Sequence, residues 1–69
     1  MNREKENRGD MLVRLRRIGG QMRGLQRVVE EGRPIPEVLT QVAAVTAAVK
    51  GVGMFVVQCY LEDSLSMGF

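Results

Sequence analysis

The sequence contains no histidine and no tryptophan, and its 69 residues include one cysteine and three aromatic side chains. Without an imidazole it cannot supply a Ser-His-Asp or Cys-His catalytic set. A zinc site of the usual Cys/His kind needs about four such ligands, and one chain offers only Cys59. A lone thiol also excludes disulfides within the chain, and three aromatics are too few to stack single-stranded bases. These absences argue against an enzyme, a zinc finger and a disulfide-stabilised secreted peptide.

The residues that are present describe a short, apolar chain. Hydrophobic residues make up 45% of it, which is too many for disorder and more than so short a chain can bury alone. We therefore expect a single domain that associates with itself. Residues 2–10 are polar and charged, so we expect no signal peptide there. A lone thiol then fits a reducing cytoplasm, which is the expected location.

Basic residues are concentrated in the first half of the chain. Residues 1–33 carry nine Lys and Arg against five Asp and Glu, whereas residues 34–69 carry one against three. Residues 11–29 contain five arginines and no acid. Because a solvated helix face usually mixes charges to limit repulsion, this imbalance indicates an anionic partner; the alternative is repulsion tolerated on an exposed helix. The arginines are Arg14, Arg16, Arg17, Arg23 and Arg27.

Apolar residues predict a first helix with a seam along one side. Six of them recur at steps of four and three residues, which is a helical period rather than the alternation of a strand. Gly32 and Pro34 are typical of a helix end, so we expect this helix to stop near Glu31. Its start is open, since Asp10 could cap it or it could begin near Glu4. The seam consists of Met11, Leu15, Ile18, Met22, Leu25 and Val29.

A second, longer seam predicts a second helix. Pro36 suits its first turn, and we expect it to run to about Leu61. Between Val42 and Tyr60 the one charged residue is Lys50, so this helix is apolar on most of its circumference and must be buried on most sides. The seam consists of Ile35, Val38, Val42, Val45, Val49, Val52, Val56 and Cys59.

A hairpin of these two helices covers only one side of the second one. We therefore predict an all-α fold in which two long antiparallel helices pair with a second copy as a four-helix-bundle dimer, open to further association into a tetramer. The alternative is a membrane span over residues 42–60, but Lys50 at its centre disfavours insertion by about 2.5–3.5 kcal/mol. We expect no membrane partner. The predicted organisation is a polar segment over residues 1–9, the helical hairpin over residues 10–63 and a tail over residues 64–69.

Three stretches of the chain resemble a known family. They are residues 15–25 (LRRIGGQMRGL), residues 31–34 (EGRP) and residues 38–45 (VLTQVAAV). In this order and spacing they closely resemble the CsoR/RcnR/FrmR family of small all-helical bacterial repressors, which sense copper, nickel or cobalt, sulfur species or formaldehyde. The resemblance covers about residues 10–64. It implies dimers of helical hairpins, commonly assembled into tetramers, that bind operator DNA through basic surfaces and release it when the effector binds.

The same resemblance assigns the effector site to three positions. In the family a cysteine near the start of the second helix, a later histidine and often a further cysteine converge across the dimer interface. The matching positions here hold Ile35, Tyr60 and Ser64. None of them is a thiolate or an imidazole, the donors that Cu(I) and Ni(II) prefer, and the thiols that formaldehyde and persulfide sensors need are missing too. We therefore expect no metal site and no cofactor.

Three alternatives for sensing stay open, and the effector is unknown. The protein could bind an organic or apolar effector near Ile35 and Tyr60, or respond through Cys59 paired with the same residue of another protomer. It could also not sense at all, acting as a constitutive DNA-binding protein or as a partner subunit of a sensing paralogue. The ordinary role of a thiol such as Cys59 is a small buried hydrophobe, and that of Tyr60 is an interfacial anchor.

The arginines are the predicted contact with double-stranded DNA. Each phosphate they neutralise releases counterions, and two-fold symmetry doubles the cluster in a dimer. Gln21 adds a hydrogen-bonding group for a phosphate or a base edge, and Lys50 is a weaker candidate. We predict a transcriptional repressor that is not an enzyme; the alternative is a non-sensing helical subunit that oligomerises with a sensing paralogue. The predicted DNA-binding residues are Arg14, Arg16, Arg17, Gln21, Arg23 and Lys50.

Overall fold

The computed structural model describes residues 3–68, with side chains described through residue 65. These residues form two α-helices, α1 (Arg3–Glu30) and α2 (Ile35–Gly68), which pack against each other across a four-residue connection. The hairpin is long and thin, and its Cα atoms extend over 55 × 17 × 8 Å. Within the described residues, the predicted all-α fold of two long antiparallel helices is confirmed.

Both helices extend beyond the hairpin predicted over residues 10–63. α1 begins at Arg3, so the earlier of the two predicted starts is confirmed and most of the segment over residues 1–9 is helical. Acidic side chains in its first turn favour this start because they complement the positive helix end. α2 continues through Gly68, so the helix end predicted near Leu61 is wrong, and the segment that we expected to be a tail is helical as far as that residue. Residues 1, 2 and 69 lie outside the described part.

The end of α1 is fixed by a glycine in the left-handed region. Gly32 has a φ of 68°, a conformation that glycine adopts without the steric penalty of a Cβ. Its N–H donates to the carbonyl of Val29 (3.0 Å), and the N–H of Arg33 donates to the carbonyl of Val28 (3.2 Å). These two bonds form a Schellman motif, which satisfies carbonyl groups that the helix end would otherwise leave unpaired.

The start of α2 is tied back to the connection. The carbonyl oxygen of Pro34 accepts hydrogen bonds from the N–H groups of Glu37 (2.9 Å) and Val38 (3.3 Å). The Arg33 guanidinium donates to both carboxylate oxygens of Glu37, at 2.8 and 3.1 Å. This hydrogen bond raises the pKa of Arg33 and lowers the pKa of Glu37. Because both side chains are solvent-accessible, the pair orients the turn more than it stabilises the fold.

The hairpin divides the α2 seam into two sets that each recur every seven residues. One set faces α1 and includes the two most buried side chains of the described residues, Val45 at 9% and Cys59 at 6% exposure, together with the half-buried Val38 and Val52. The other set is left exposed, at 51% for Val49. The exposed set consists of Ile35, Val42, Val49 and Val56.

The α1 seam is divided in the same way. Met11, Ile18 and Leu25 are half-buried against α2. The members between them, at positions 15, 22 and 29, are 46–56% exposed. The apolar contact inside one hairpin therefore uses only half of each predicted seam.

The exposed halves of the two seams lie on the same broad side of the hairpin. On each helix, the exposed seam residues follow the contact residues by the same rotation around the helix axis. The two helices run in opposite directions and also turn opposite sides toward each other, and these two reversals cancel. The exposed seam residues of both helices therefore come to the same side of the hairpin. Consistent with this, Val56 and Tyr60 of α2 line one cavity with Glu4 and Arg8 of α1. We call this side the apolar flank. It consists of Leu15, Met22, Val29, Ile35, Val42, Val49, Val56 and Tyr60.

By length and composition alone, residues 35–65 of α2 are long and apolar enough to cross a membrane. A single helix of this kind is weak evidence for a span, since the mostly buried core helix of a soluble protein can have the same length and composition. Only 6% of the apolar window is buried inside one hairpin. The absence of a membrane partner therefore stays a prediction, and it requires another surface to cover α2.

We expect Gly32→Ala to lower the free energy of unfolding by about 1–2 kcal/mol, because alanine must adopt the left-handed conformation there. The matched control is Gly9→Ala, at an exposed position inside α1 where an added Cβ meets nothing within 4 Å. That variant should be more stable than the parent by about 0.5–1 kcal/mol. Urea unfolding at fixed protein concentration, followed by circular dichroism, measures both. A Gly32→Ala variant as stable as the parent would contradict the assigned role of the turn.

Candidate functional site

The five arginines between residues 11 and 29 are exposed on α1. None of them forms an ion pair with a carboxylate of the described residues, whereas Arg8 pairs with Glu4 (3.0 Å) and Arg33 with Glu37 (2.8 Å) near the helix ends. The middle of α1 therefore carries positive charge that the described part of the chain does not neutralise. Such a surface attracts an anionic partner.

Three of these arginines lie on the side of α1 turned away from α2, as their helical spacing predicts. They are Arg16, Arg23 and Arg27. The Arg23 side chain folds back over Gly19 and Gly20, since a Cβ built on these glycines would lie 3.7 Å from its Nη1 and 3.9 Å from its Nη2. The mid-helix glycine pair thus gives this guanidinium room to lie along the helix.

The other two arginines lie beside α2, on the broad side opposite the apolar flank. Arg14 and Arg17 line a groove of about 170 Å³ between the helices, together with Gln21 of α1. We call it the basic groove. The wall of the groove that α2 forms consists of small residues. The lining residues are Arg14, Arg17, Ile18, Gln21, Ala48, Gly51 and Val52.

Arg14 is held by an aromatic ring from the other helix. Its guanidinium carbon lies 4.3 Å from the centroid of the half-buried Phe55 ring, within the range of a cation–π contact. The contact fixes a long, flexible side chain close to the groove. The sequence predictions missed Phe55, Gly51 and Ala48, although their spacing of three and four residues places them on one side of α2.

Gln21 and Lys50 occupy different environments. Gln21 is half-buried beside the groove, and its amide oxygen has no hydrogen-bond partner among the described residues. Lys50 is exposed in the middle of α2 and does not line the groove. The structure therefore brings Gln21 together with Arg14 and Arg17, but it does not bring Lys50 to them.

The three positions that the resemblance assigns to an effector are not together in one hairpin. Ile35 and Tyr60 are 67% and 69% exposed, and they lie near opposite ends of α2. Their separation in sequence corresponds to roughly 38 Å along a helix that rises about 1.5 Å per residue. Ser64 is exposed one turn after Tyr60. Only residues of another protomer could join the two ends.

The donor set at these positions does not fit a copper or nickel ion. Ile35 has no donor atom, and the hydroxyl groups of Tyr60 and Ser64 are poor ligands for Cu(I) or Ni(II). Within residues 3–68, no group of three or more His, Cys, Asp or Glu side chains is placed to hold a metal ion.

Tyr60 also lines a cavity of about 300 Å³ at the open end of the hairpin. The cavity lies on the apolar flank between the start of α1 and the second half of α2. Its walls combine apolar and charged groups, so its chemistry alone does not select one ligand class. The lining residues are Glu4, Asn7, Arg8, Met11, Val56, Cys59, Tyr60 and Asp63.

Cys59 faces α1 inside the hairpin, with 6% of its surface exposed. Burial raises the pKa of its thiol, and the carboxylates of Glu62, Asp63 and Asp10 raise that pKa further, against an opposing effect of Arg14. A protonated, buried thiol is a weak nucleophile and a weak metal ligand. This environment favours the role of a small buried hydrophobe over a disulfide between protomers.

A family model described as "Metal-sensitive transcriptional repressor" matches residues 7–67. The chain is 44% identical over 53 residues to the copper-sensing transcriptional repressor RicR of Mycobacterium tuberculosis (strain ATCC 25618 / H37Rv), covering 77% of this chain and 55% of RicR. It is 37% identical over 59 residues to the copper-sensing transcriptional repressor CsoR of Bacillus subtilis (strain 168), covering 84% of this chain and 58% of CsoR. The chain thus spans little more than half the length of these two relatives.

A third relative is an uncharacterized protein in the bioA 5′ region of Serratia marcescens. It is 35% identical over 66 residues, which cover 96% of this chain and 72% of the relative. No solved structure gives a significant match. The family match spans most of α1 and α2, including the basic groove, and it confirms the resemblance seen in the sequence. This chain belongs to the family of metal-sensitive transcriptional repressors.

Proposed function

We propose that this protein is a transcriptional repressor that binds duplex operator DNA through the arginines of α1. Members of the family are DNA-binding repressors rather than enzymes. The observation that carries the proposal is the run of five exposed arginines on α1 without a carboxylate partner among the described residues. Arginine is well suited to a phosphate backbone because its planar fork donates two parallel hydrogen bonds to phosphate oxygens.

The repressor acts as a dimer in this proposal. The apolar flank leaves seam residues such as Leu15 (50%) and Val49 (51%) exposed in a single hairpin. A second copy related by two-fold symmetry would cover this flank with its own, so that four helices share one core. The exposed outer face of α2 around Met54, which is 74% exposed, would allow two dimers to associate as a tetramer.

Dimerisation through the apolar flank keeps the arginines outside. Arg14 and Arg17 lie on the opposite broad side, and Arg16, Arg23 and Arg27 lie on the outer side of α1. Two-fold symmetry then doubles the cluster to ten guanidinium groups. Neutralising several phosphates at once makes binding tight at low salt and strongly salt-dependent. Because its target is DNA, we place the protein in the cytoplasm and away from the membrane.

We propose that the signal for release from DNA is not the copper for which the relatives are named. RicR and CsoR are named as copper-sensing repressors. In this chain the corresponding positions, Ile35, Tyr60 and Ser64, lack suitable donors for that metal, so we propose that release from DNA does not depend on Cu(I) or Ni(II). The effector is unknown.

A second candidate function follows from the same mismatch. The chain keeps an apolar flank suited to pairing but lacks a ligand set, which suits a non-sensing subunit that pairs with a sensing paralogue. Native mass spectrometry of this chain mixed with such a paralogue distinguishes the two candidates. Exchange into heterodimers in preference to homodimers supports the subunit role, and homodimers alone support the repressor.

Neutralising one arginine of the cluster should weaken DNA binding without unfolding the protein. We expect Arg16→Gln to lower the affinity for a duplex from the protein's own upstream region about tenfold, close to 1.4 kcal/mol per binding event, because glutamine cannot form a charge-assisted hydrogen bond with a phosphate. The slope of log affinity against log salt should become shallower by about 0.9 for each phosphate that the variant no longer neutralises. Fluorescence anisotropy at several salt concentrations measures both.

The matched control for this experiment is Arg33→Gln, which changes the net charge equally at the connection, where the guanidinium already pairs with Glu37. Its affinity should stay within about twofold of the parent, since its charge is already compensated. Equal losses of affinity for Arg16→Gln and Arg33→Gln would mean that net charge alone attracts the DNA. An unchanged affinity for Arg16→Gln would count against the proposed surface.

We expect Cu(I) and Ni(II) not to bind stoichiometrically at low micromolar concentration. Competition with a chromophoric chelator under reducing conditions measures the affinity and the number of sites. The comparison is Cys59→Ser, which removes the single thiol and should behave like the parent. Tight binding of one metal ion per protomer would contradict the expectation, and its disappearance in Cys59→Ser would place the ligand at that thiol.

A further inference from the structure

We propose that the basic groove receives a phosphate of the DNA backbone, and that α2 builds this subsite with the bare backbone of Gly51 and the ring of Phe55. The inference rests on the proposed DNA binding and deepens it, because it adds two α2 residues to a surface otherwise made of α1 arginines. Gly51 keeps the groove open. Phe55 is a positioning residue that acts through Arg14.

The groove has the charge and the shape that a phosphodiester requires. Arg14 and Arg17, one turn apart on α1, line one wall, and no carboxylate is among the described residues that line it. Its volume of about 170 Å³ leaves room for a phosphate group between the helices. The apolar floor from Ile18 and Val52 excludes water from one side of the site, which strengthens an electrostatic contact there.

Gly51 is unexplained by packing inside the hairpin. It lies within α2, where glycine weakens a helix relative to alanine. A Cβ built on it meets nothing within 4 Å, so no neighbouring atom of the described residues requires its small size. Because Gly51 lines the basic groove beside Ala48, a larger side chain at this position would project into the space between the arginines and α2.

Phe55 supplies the second part of the subsite. An exposed arginine loses side-chain entropy when it binds a phosphate, and a side chain already held in place loses less. The contact of 4.3 Å between the Arg14 guanidinium carbon and the Phe55 ring centroid holds Arg14 beside the groove before DNA arrives. The planar guanidinium can stack on the ring while its N–H edges remain available to the phosphate.

The occupant is a duplex backbone rather than a base edge or an apolar ligand. Two guanidinium groups that flank a groove match the charge of a phosphodiester, whereas an apolar ligand would leave both of them unpaired. The groove also lies on the side opposite the apolar flank, so a dimer formed through that flank leaves it open. On the same α1 surface, the outer arginines can follow the same DNA strand.

A graded series at position 51 tests the groove directly. Gly51→Ala and Gly51→Leu leave the net charge unchanged, should strengthen the helix and fill the groove to increasing depth. We expect affinity for the upstream duplex, measured by anisotropy, to fall about threefold and at least tenfold respectively. The salt slope of Gly51→Leu should become shallower by about 0.9 for each phosphate excluded from the groove. The control is Ala43→Leu, an exposed position on the outer side of α2 and away from the groove, which should bind like the parent when the two proteins have the same solution mass.

A double-mutant cycle tests the positioning role of Phe55. We expect Phe55→Leu to lower the affinity about threefold to fivefold. Phe55→Tyr should keep the affinity of the parent, because a tyrosine ring also stacks on a guanidinium. In an Arg14→Gln background, Phe55→Leu should have no further effect on affinity, since the residue through which it acts is gone. A merely structural role for Phe55 would lower affinity equally in both backgrounds.

The outcomes separate this inference from the proposed function. If Gly51→Leu and Ala43→Leu bind DNA as tightly as the parent, the groove subsite is wrong while α1-mediated binding stands. If the parent itself does not bind duplex DNA, both fail. Circular dichroism and solution mass are measured for every variant. If Gly51→Leu changes the assembly, the affinity of Gly51→Ala for DNA decides the question. An affinity equal to that of the parent would then overturn the proposal.

Discussion

Burial of the valine-rich side of α2 is the constraint on which the rest of the molecule depends. One hairpin buries Val45 and Cys59 almost completely but leaves alternate seam residues such as Val42 and Val49 largely exposed. Apolar surface of this extent is unfavourable in water at about 25 cal/mol per Å². A contiguous exposed patch of this kind usually marks an association surface. The Cα atoms of the hairpin span only 8 Å in the shortest direction, and the described residues form no further layer that covers this side.

If a second copy covers the apolar flank, two other surfaces of the hairpin stay exposed. The broad side opposite that flank carries the basic groove, and the outer side of α1 carries Arg16, Arg23 and Arg27. Charge and apolar surface are thus separated by rotation around the same two helices. In the proposed dimer, this arrangement would let so short a chain form a core and an anion-binding surface together. The contact between Arg14 of α1 and Phe55 of α2 joins the two helices on the basic side.

The apolar period of 3.5 residues was enough to predict the two helices. Gly32 and Pro34 were enough to predict the end of α1. Both signals are local, because each lies within a short stretch of the sequence. The helix ends at Arg3 and Gly68 were harder to predict, since the flanking residues are compatible with either a helix or a frayed end. The division of each seam into inner and outer halves depends on how the helices are rotated against each other. The Arg14–Phe55 contact depends further on a side-chain conformation, so no sequence period reveals it.

The most direct test of this account compares Val49→Lys with Met54→Lys by sedimentation velocity and circular dichroism. Both positions are exposed in the single hairpin, at 51% and 74%, but only Val49 lies on the apolar flank. We expect the parent and Met54→Lys to sediment at twice the 7.7 kDa chain mass or more, and Val49→Lys to dissociate or unfold. A helical Val49→Lys variant with the mass of the parent, or a parent that is a stable 7.7 kDa monomer, would contradict it.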